Sequence, residues 1–422
     1  MTDIISSFMC IVLILGIINV LRLGLLSIGA DIYDARHLLR RSSNKMSMPR
    51  IAIIIPAHNE EVCIERTVMS VLANDYRYKK VVVVDDGSTD KTVTILRRLK
   101  KRLALKNLTI VSQSNGGKAS AINNALKNHV KGCSLVMVLD ADSILQKQAV
   151  SHMVAHFEQP NVVAAAANVK VIHGRQLLTI AQRIEYVVSH RMKRALTAYN
   201  MEYIIGGVGS TFRKSIVKKV NYFDTDTMTE DIDFTVKIIN KRGNRENRII
   251  FAADVIAYTE GVVKFKSLIR QRFRWKYGRM QTFYKNRSIF FSRDKKHTKP
   301  LTWVYLPFTL FSEFLLLLDP LLIVAVLTIA VLTSGLWGFL FVYLATTFFF
   351  TVNVLADDSE TGTEKRRLLR YLPFAYFLVM IMSFVDFIAL IKSIRQIHHL
   401  SSGKPTGHWQ HVERVGEHVA LV

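Results

Sequence analysis

Two carboxylates one residue apart end an apolar run, Leu135-Val136-Met137-Val138-Leu139-Asp140-Ala141-Asp142-Ser143. The run reads as a strand buried on both faces. A parallel strand of that kind accommodates acids only at its open carboxyl end, where side chains can meet a ligand. Asp140 and Asp142 offer hard oxygen donors, which suit Mg²⁺ or Mn²⁺ carrying a phosphate. Two solvated acids or a helix start would look the same, so the motif must be weighed with its neighbours.

Other polar clusters follow strand-like runs in the same way. Ile51-Ala52-Ile53-Ile54-Ile55-Pro56 opens into Ala57-His58-Asn59-Glu60-Glu61, and Lys80-Val81-Val82-Val83-Val84 into Asp85-Asp86-Gly87-Ser88-Thr89-Asp90. Thr109-Ile110-Val111 forms a further strand. Helical periodicity occupies 63–73 and 119–128. Strands alternating with helices predict an α/β fold with a mostly parallel sheet. The carboxyl ends of its strands would then share one rim, the usual binding crevice of such sheets.

That rim gives each motif two readings. Asp86 can contact a base or ribose, or simply stabilise a turn, and Ser88 or Thr89 can cap the next helix. Lys118, after Asn115-Gly116-Gly117, can approach a diphosphate or open a helix; the Walker spacing is absent. Thr229-Glu230-Asp231 starts a convincing helix, with acids placed well for its dipole. Gln271, Arg274 and Trp275 lie at i, i+3 and i+4, so they can share a helix face. Arginine suits a diphosphate and tryptophan the flat face of a sugar. The surrounding segment 264–299 is rich in Lys and Arg with one acid, Asp294. It also reads as a basic helix on anionic lipid headgroups, at about 1 kcal/mol per cation near the surface.

Composition frames these sites. The chain has 422 residues, half of them apolar, and a formal charge of +24. That combination fits a membrane protein with a basic cytoplasmic face. Nucleic acid is not expected as a partner, because ordered carboxylates at strand ends would repel phosphate. Cys10, Cys63 and Cys133 show no metal spacing and suggest no disulfide framework. Residues 1–30 read as an uncleaved transmembrane helix, followed by a basic cluster that includes Arg36, Arg40, Arg41, Lys45 and Arg50. Charge bias places the next domain, 48–299, in the cytoplasm. Residues 301–393 hold two apolar blocks, the first interrupted at Asp319-Pro320 and divided again at Ser334-Gly335, with about three crossings expected. Residues 394–422 form a basic tail. The localisation expected is a multi-pass protein of the plasma membrane.

Ile55-Pro56-Ala57-His58-Asn59-Glu60-Glu61, Asp85-Asp86-Gly87-Ser88-Thr89-Asp90, Asn115-Gly116-Gly117-Lys118, Asp140-Ala141-Asp142, Thr229-Glu230-Asp231 and Gln271-Arg272-Phe273-Arg274-Trp275 stand in that order. The series resembles the family 2 glycosyltransferases, in their membrane-embedded processive branch, over about residues 50–280. Within that branch the arrangement of apolar segments looks most like the poly-β-1,6-N-acetylglucosamine synthases.

The resemblance implies a GT-A-like domain that moves a sugar, N-acetylglucosamine by family inference, from a UDP-sugar donor to a growing β-linked polysaccharide acceptor. It implies that Ala57, His58 and Asp86 hold the uridine, and that Asp142 is a direct ligand of Mg²⁺ or Mn²⁺, with Asp140 a metal or ribose contact. Lys118 falls to the diphosphate. Asp231 becomes the general base that makes transfer inverting, with Glu230 second, and Asp233 is expected to be solvated. Gln271, Arg274 and Trp275 fall to the substrates, with Arg272 behind Arg274. Gly206-Gly207-Val208-Gly209-Ser210 becomes an acceptor-side loop. A small membrane accessory subunit is compatible with this reading. The alternative is a non-processive transferase that makes a glycolipid or lipid-linked sugar.

Overall fold

The computed structural model describes residues 2–40, 48–104, 106–172, 176–334 and 336–400. Arg41, Lys45 and tail residues 401–422 lie outside them. The chain runs α1 (Thr2–Arg40), β1 (Ile51–Ala57), α2 (Ile64–Leu72), β2 (Lys79–Asp86), α3 (Thr92–Arg102), β3 (Leu108–Gln113), α4 (Lys118–Asn128), β4 (Leu135–Val138) and β5 (Ile144–Leu145). It continues with α5 (Ala149–His156), β6 (Val162–Val171), α6 (Leu177–Ala198), β7 (Ser210–Arg213), α7 (Lys214–Lys219), α8 (Glu230–Arg242), β8 (Arg248–Thr259) and α9 (Phe265–Lys285). Four more α-helices follow: α10 (Leu306–Ser334), α11 (Leu336–Ala356), α12 (Gly362–Leu369) and α13 (Ala375–Arg395).

Among the described residues, eight strands form one sheet in the order β3-β2-β1-β4-β7-β6-β8-β5. β1 pairs parallel with β2 and β4, β2 with β3, and β6 with β8. β7 is antiparallel to both β4 and β6, and β5 to β8. Only β7 and β5 therefore run against the common direction. Alternate residues of β1 enter opposite cores. Ala52 and Ile54 pack with Ala121, Ile122 and Phe234 from α4 and α8, while Ile51, Ile53 and Ile55 pack with Ile64, Val68 and Leu96 from α2 and α3. This is the physical source of the continuous apolar runs: a strand covered on both faces has no outward side.

Strand direction fixes one rim. The carboxyl ends of β1, β2 and β4 lie together, and so do those of β6 and β8. Because β7 is reversed, with Ser210 opposite Val138, the loop before it reaches the same rim.

The helical parts differ from expectation in two places. The first helix continues to Arg40, and its second half packs on α6, with Leu26 and Ala30 buried against Ala195 and Leu196. Asp319-Pro320 does not break α10, which passes through Pro320. One missing N–H removes a single i→i−4 bond, and the long apolar stretches on either side keep the rest. Among the described residues, two helices are long and apolar enough to cross a membrane, Pro300–Leu318 and Leu372–Arg395. A third core joins α6 and α9 to α11 and α13 through Ile180, Ile184, Leu268, Val354 and Leu378. The sheet domain and the apolar helices thus share buried surface.

Candidate active site

The donor-side loops are tied to one another before any ligand is considered. Asn59, at φ +56°, receives the Thr89 N–H on Oδ1 at 2.8 Å and donates its own N–H to Ser88 Oγ at 3.0 Å. The Glu60 N–H reaches Thr92 Oγ1, and Glu61 exchanges bonds with the next loop through Asp90 Oδ2 and the Lys91 N–H. Ser88 and Thr89 are therefore spent on the β1 loop, and Asp90 rather than either of them accepts the Thr92 N–H that opens α3. The carboxylate of Asp86 is fully buried. It accepts Gly116 N–H and Gln113 Nε2 on one oxygen and Gly117 N–H on the other, at 2.8–2.9 Å. Asp86 thus pins the Gly116-Gly117 turn. His58 Nδ1 lies 2.9 Å from the Asp86 carbonyl oxygen. A carbonyl can only accept, so the proton sits on Nδ1.

These loops edge a cavity of about 970 Å³ that runs from the strand ends toward the apolar helices. Its walls include His58, Lys118, Asp140, Asp142, Glu230, Asp231, Gln271, Arg274 and Trp275. Ala57 and Asp86 sit behind the wall, both fully buried.

Lys118, the first residue of α4, links the two halves of the site. Its ammonium lies 2.7 Å from Asp140 Oδ1 and 2.8 Å from Glu230 Oε1. Burial works against that charge, but Asp140, Glu230 and Asp231 more than offset it and hold the lysine above its ordinary pKa. A Cβ on Gly207 would sit 2.8 Å from Lys118 Nζ and 3.3 Å from Asp140 Oδ1. Glycine there lets the loop before β7 close over the pair. Asp142 is 4% exposed and accepts the Ser143 hydroxyl at 3.0 Å.

Asp231 stands in the first turn of α8. Its Oδ1 accepts the N–H of Ile232. Burial first, and then the neighbouring Glu230, push its carboxyl up to about 6, with Lys118 opposing. Two residues on, Asp233 is fully buried rather than solvated. Its carboxylate meets Lys285 Nζ at 3.2 Å and Asn286 Nδ2 at 3.4 Å. Residue 233 points back toward α9, so an expectation from polarity alone misplaces it. The start of α8 is set by close contact with α9. A Cβ on Gly278 would lie 2.3 Å from Thr229 Oγ1, and the Met228 N–H donates to Gln281 Oε1.

On α9, neighbouring arginines have different surroundings. Arg272 is buried, forms two bonds with Glu185 at 2.6 and 2.7 Å, and lies over the Trp275 ring at 4.8 Å. It fixes the indole. Arg274 reaches the cavity and makes no ion pair with another described residue. Lys276 and Arg279 pair with Glu313, and Lys285 with Asp224, Asp226 and Asp233. Those cations are held by protein carboxylates. Sequence reasoning passed over the wall residues Glu185, Glu202, Glu260, Glu313 and Asp386. Glu313 and Asp386 had a signal: each is an acid inside an apolar helix, where an ionisable group needs a partner or a cavity.

The donor set fits a hard divalent cation. Asp140 and Asp142 supply only carboxylate oxygens, on one short turn and facing one cavity. Lys118 pairs with Asp140 Oδ1 and the Ser143 hydroxyl with Asp142 Oδ1, and both carboxylates line the cavity.

A sheet with a common carboxyl rim, acids on that rim and a base-like carboxyl across the cavity is a GT-A-like glycosyltransferase architecture. Residues 49–278 match the family described as glycosyltransferase like family 2, and the chain belongs to that family of enzymes. It is 31% identical over 253 residues to a poly-beta-1,6-N-acetyl-D-glucosamine synthase of Staphylococcus aureus, a match covering 60% of this chain and 59% of the relative. The corresponding Staphylococcus epidermidis synthase is 32% identical over 203 residues, 48% of each chain. The aligned region thus spans under two thirds of these relatives. In fold, a mannosyltransferase from Pyrobaculum calidifontis, solved with GDP-Man and Mn2+, matches with a TM-score of 0.52 at 21% identity, covering 89% of this chain and 96% of that one.

Proposed function

We propose that the chain is an inverting transferase that moves N-acetylglucosamine from UDP-N-acetylglucosamine to the growing end of a β-linked polysaccharide. One observation carries the reading. Asp140 and Asp142 face Glu230 and Asp231 in one cavity, with Lys118 between them. Transfer needs a neutralised leaving diphosphate and a deprotonated acceptor hydroxyl, held in line. The similarity to poly-beta-1,6-N-acetyl-D-glucosamine synthases supports the sugar and the polymer.

In this reading Asp142, with Asp140, holds Mg²⁺ or Mn²⁺, which supplies Lewis-acid neutralisation of the leaving diphosphate. Lys118 and Arg274 add positive charge beside it. Asp231 takes the proton of the acceptor hydroxyl. The oxygen so freed bonds to the anomeric carbon as the bond from that carbon to the diphosphate breaks, so an α-linked donor gives a β-linked product. His58 and the loops pinned by Asp86 frame the uridine, and Trp275, fixed by Arg272, offers a flat face to a sugar ring. The acceptor leaves past α9 toward the apolar helices. Glu313 and Asp386 line that end of the cavity, which supports export across a plasma membrane by a multi-pass chain.

The test is purified chain with single UDP-sugars, Mg²⁺ or Mn²⁺, and linkage and length analysis of the product. Long β-linked N-acetylglucosamine polymer at low donor conversion is expected. A single sugar added to a lipid would replace polymerisation with the non-processive reaction.

A further inference from the structure

Away from the cavity, three side chains from separate elements converge on one point. His37 lies on α1, His156 ends α5, and Asp254 stands in β8. Their donor atoms lie within 4.8 Å of one another. His156 Nε2 is 2.7 Å from Asp254 Oδ1, and His37 Nε2 is 3.3 Å from Oδ2. All three are partly exposed, with Asp254 at 28% and His37 at 29%, so solutes reach them. His152, one helical turn before His156, has Nδ1 2.9 Å from the Asp254 carbonyl and 4.0 Å from Oδ2.

The backbone is shaped around this point. β6 and β8 pair in register through Ala167 and Ala252, and pairing resumes at Asn168 and Ile256. Ala253, Asp254 and Val255 are therefore extra residues on one strand. The bulge frees the Asp254 carbonyl for His152, while Asn168 Nδ2 donates to the Ala253 carbonyl. Bulges redirect side chains, and this one turns a carboxylate out of the sheet toward two imidazoles. Tyr33, one turn before His37, donates to the Phe251 carbonyl at 2.8 Å, and its hydroxyl accepts the Ala253 N–H at 3.2 Å. That bond registers α1 on the bulge, so His37 is aimed by two anchored elements.

We infer that His37, His156 and Asp254 form a binding site for a borderline divalent cation such as Zn²⁺, bridging α1 to the edge of the sheet, with His152 beside it. Two imidazole nitrogens and one carboxylate are a zinc-type donor set, distinct from the all-oxygen pair at Asp140 and Asp142. Nε2–H of His156 and of His37 point at the Asp254 carboxylate, and a cation bound there would replace those two protons, leaving each imidazole protonated on Nδ1. Tetrahedral Zn²⁺ places its ligand atoms about 3.4 Å apart, so modest side-chain rotation completes the set and leaves one position for water. Such a cation would fasten the helix leading from the amino-terminal apolar segment to the catalytic domain.

The experiment uses full-length protein in detergent, stripped with chelator and held in excess Mg²⁺ to occupy hard oxygen sites. Zn²⁺ is titrated against a chromophoric chelator, and Co²⁺ is followed by its visible spectrum. One Zn²⁺ per chain is expected, with the intense Co²⁺ bands of a four-coordinate site containing nitrogen. His37→Ala and His156→Ala should each weaken binding about tenfold or more. No Zn²⁺ bound in excess Mg²⁺, or unchanged affinity in both variants, would overturn the site and leave a hydrogen-bonded pin. If a variant does not fold, the wild type decides the matter. Zn²⁺ must then protect His37 and His156 from diethylpyrocarbonate, and equal modification with and without Zn²⁺ refutes the proposal.

Discussion

Asp231 and Asp233 occupy one turn of α8, and burial pushes both carboxyls up to about 6. Their surroundings differ. Asp231 lines the cavity beside Glu230 and Lys118, whereas Asp233 is sealed against Lys285, the last residue of α9, and Asn286 after it. A raised carboxyl therefore marks burial, and access to the cavity separates a base from a structural pin. Helical geometry makes the contrast: residues two apart point to different sides, so one turn serves both the site and its support.

The strongest way to break the comparison is Asp231→Asn. Turnover should fall by about 10²–10⁴, while binding of UDP-N-acetylglucosamine, followed by calorimetry, persists. Near-normal turnover would remove Asp231 from the base role. Next, Asp142→Ala should weaken metal-dependent donor binding by about tenfold to a hundredfold. An unchanged Mg²⁺ or Mn²⁺ response would refute the ligand assignment.

Gly278→Ala tests the support from the other side. Its methyl would press on Thr229 and shift the first turn of α8, so kcat should drop by about tenfold to a hundredfold, the upper figure being that for displacement near 1 Å. Full activity would mean that the α8–α9 contact does not position Asp231.

The pH profile sharpens the same contrast. As the proposed base, Asp231 must be ionised, so kcat/KM should fall tenfold per unit below about 6 and level off above it. A carboxyl that titrates higher folded than unfolded binds its proton more tightly in the fold. Its contribution to stability is therefore lost as pH rises from near 3.8 toward 6. Thermal melts across that window should flatten partly in Asp231→Asn.

The smallest effect on catalysis belongs to Asp233→Asn. Activity should stay within about threefold, while part of the stability lost as pH rises from near 3.8 toward 6 returns and the melting point shifts, because a carboxyl that burial holds above its ordinary range is gone. A large loss of turnover with an unchanged melting point would erase the distinction between the two acids.

Much of the donor side was legible in the chain. Apolar runs covered on both faces leave a clear trace, and each ends where its polar loop begins, so the rim could be drawn from strand ends alone. The antiparallel β7 was not legible. Its four residues carry no direction, yet its reversal brings Gly207 over Lys118 and Asp140. Among the site residues, sequence pattern could nominate Asp86, Arg272 and Arg274 but could not say which would face a ligand. Packing put Asp86 behind the wall and joined Arg272 to Glu185, while both Arg272 and Arg274 line the cavity.

By itself the sequence determined the order of chemical groups, the strands that carry them and the apolar helices that follow, since these depend on local periodicity and composition. Only the tertiary structure decided partnership: Lys118 between Asp140 and Glu230, Asp233 with Lys285, and His37 with His156 and Asp254. Those pairs join residues far apart in the chain. Their distances follow from helix packing and a strand bulge.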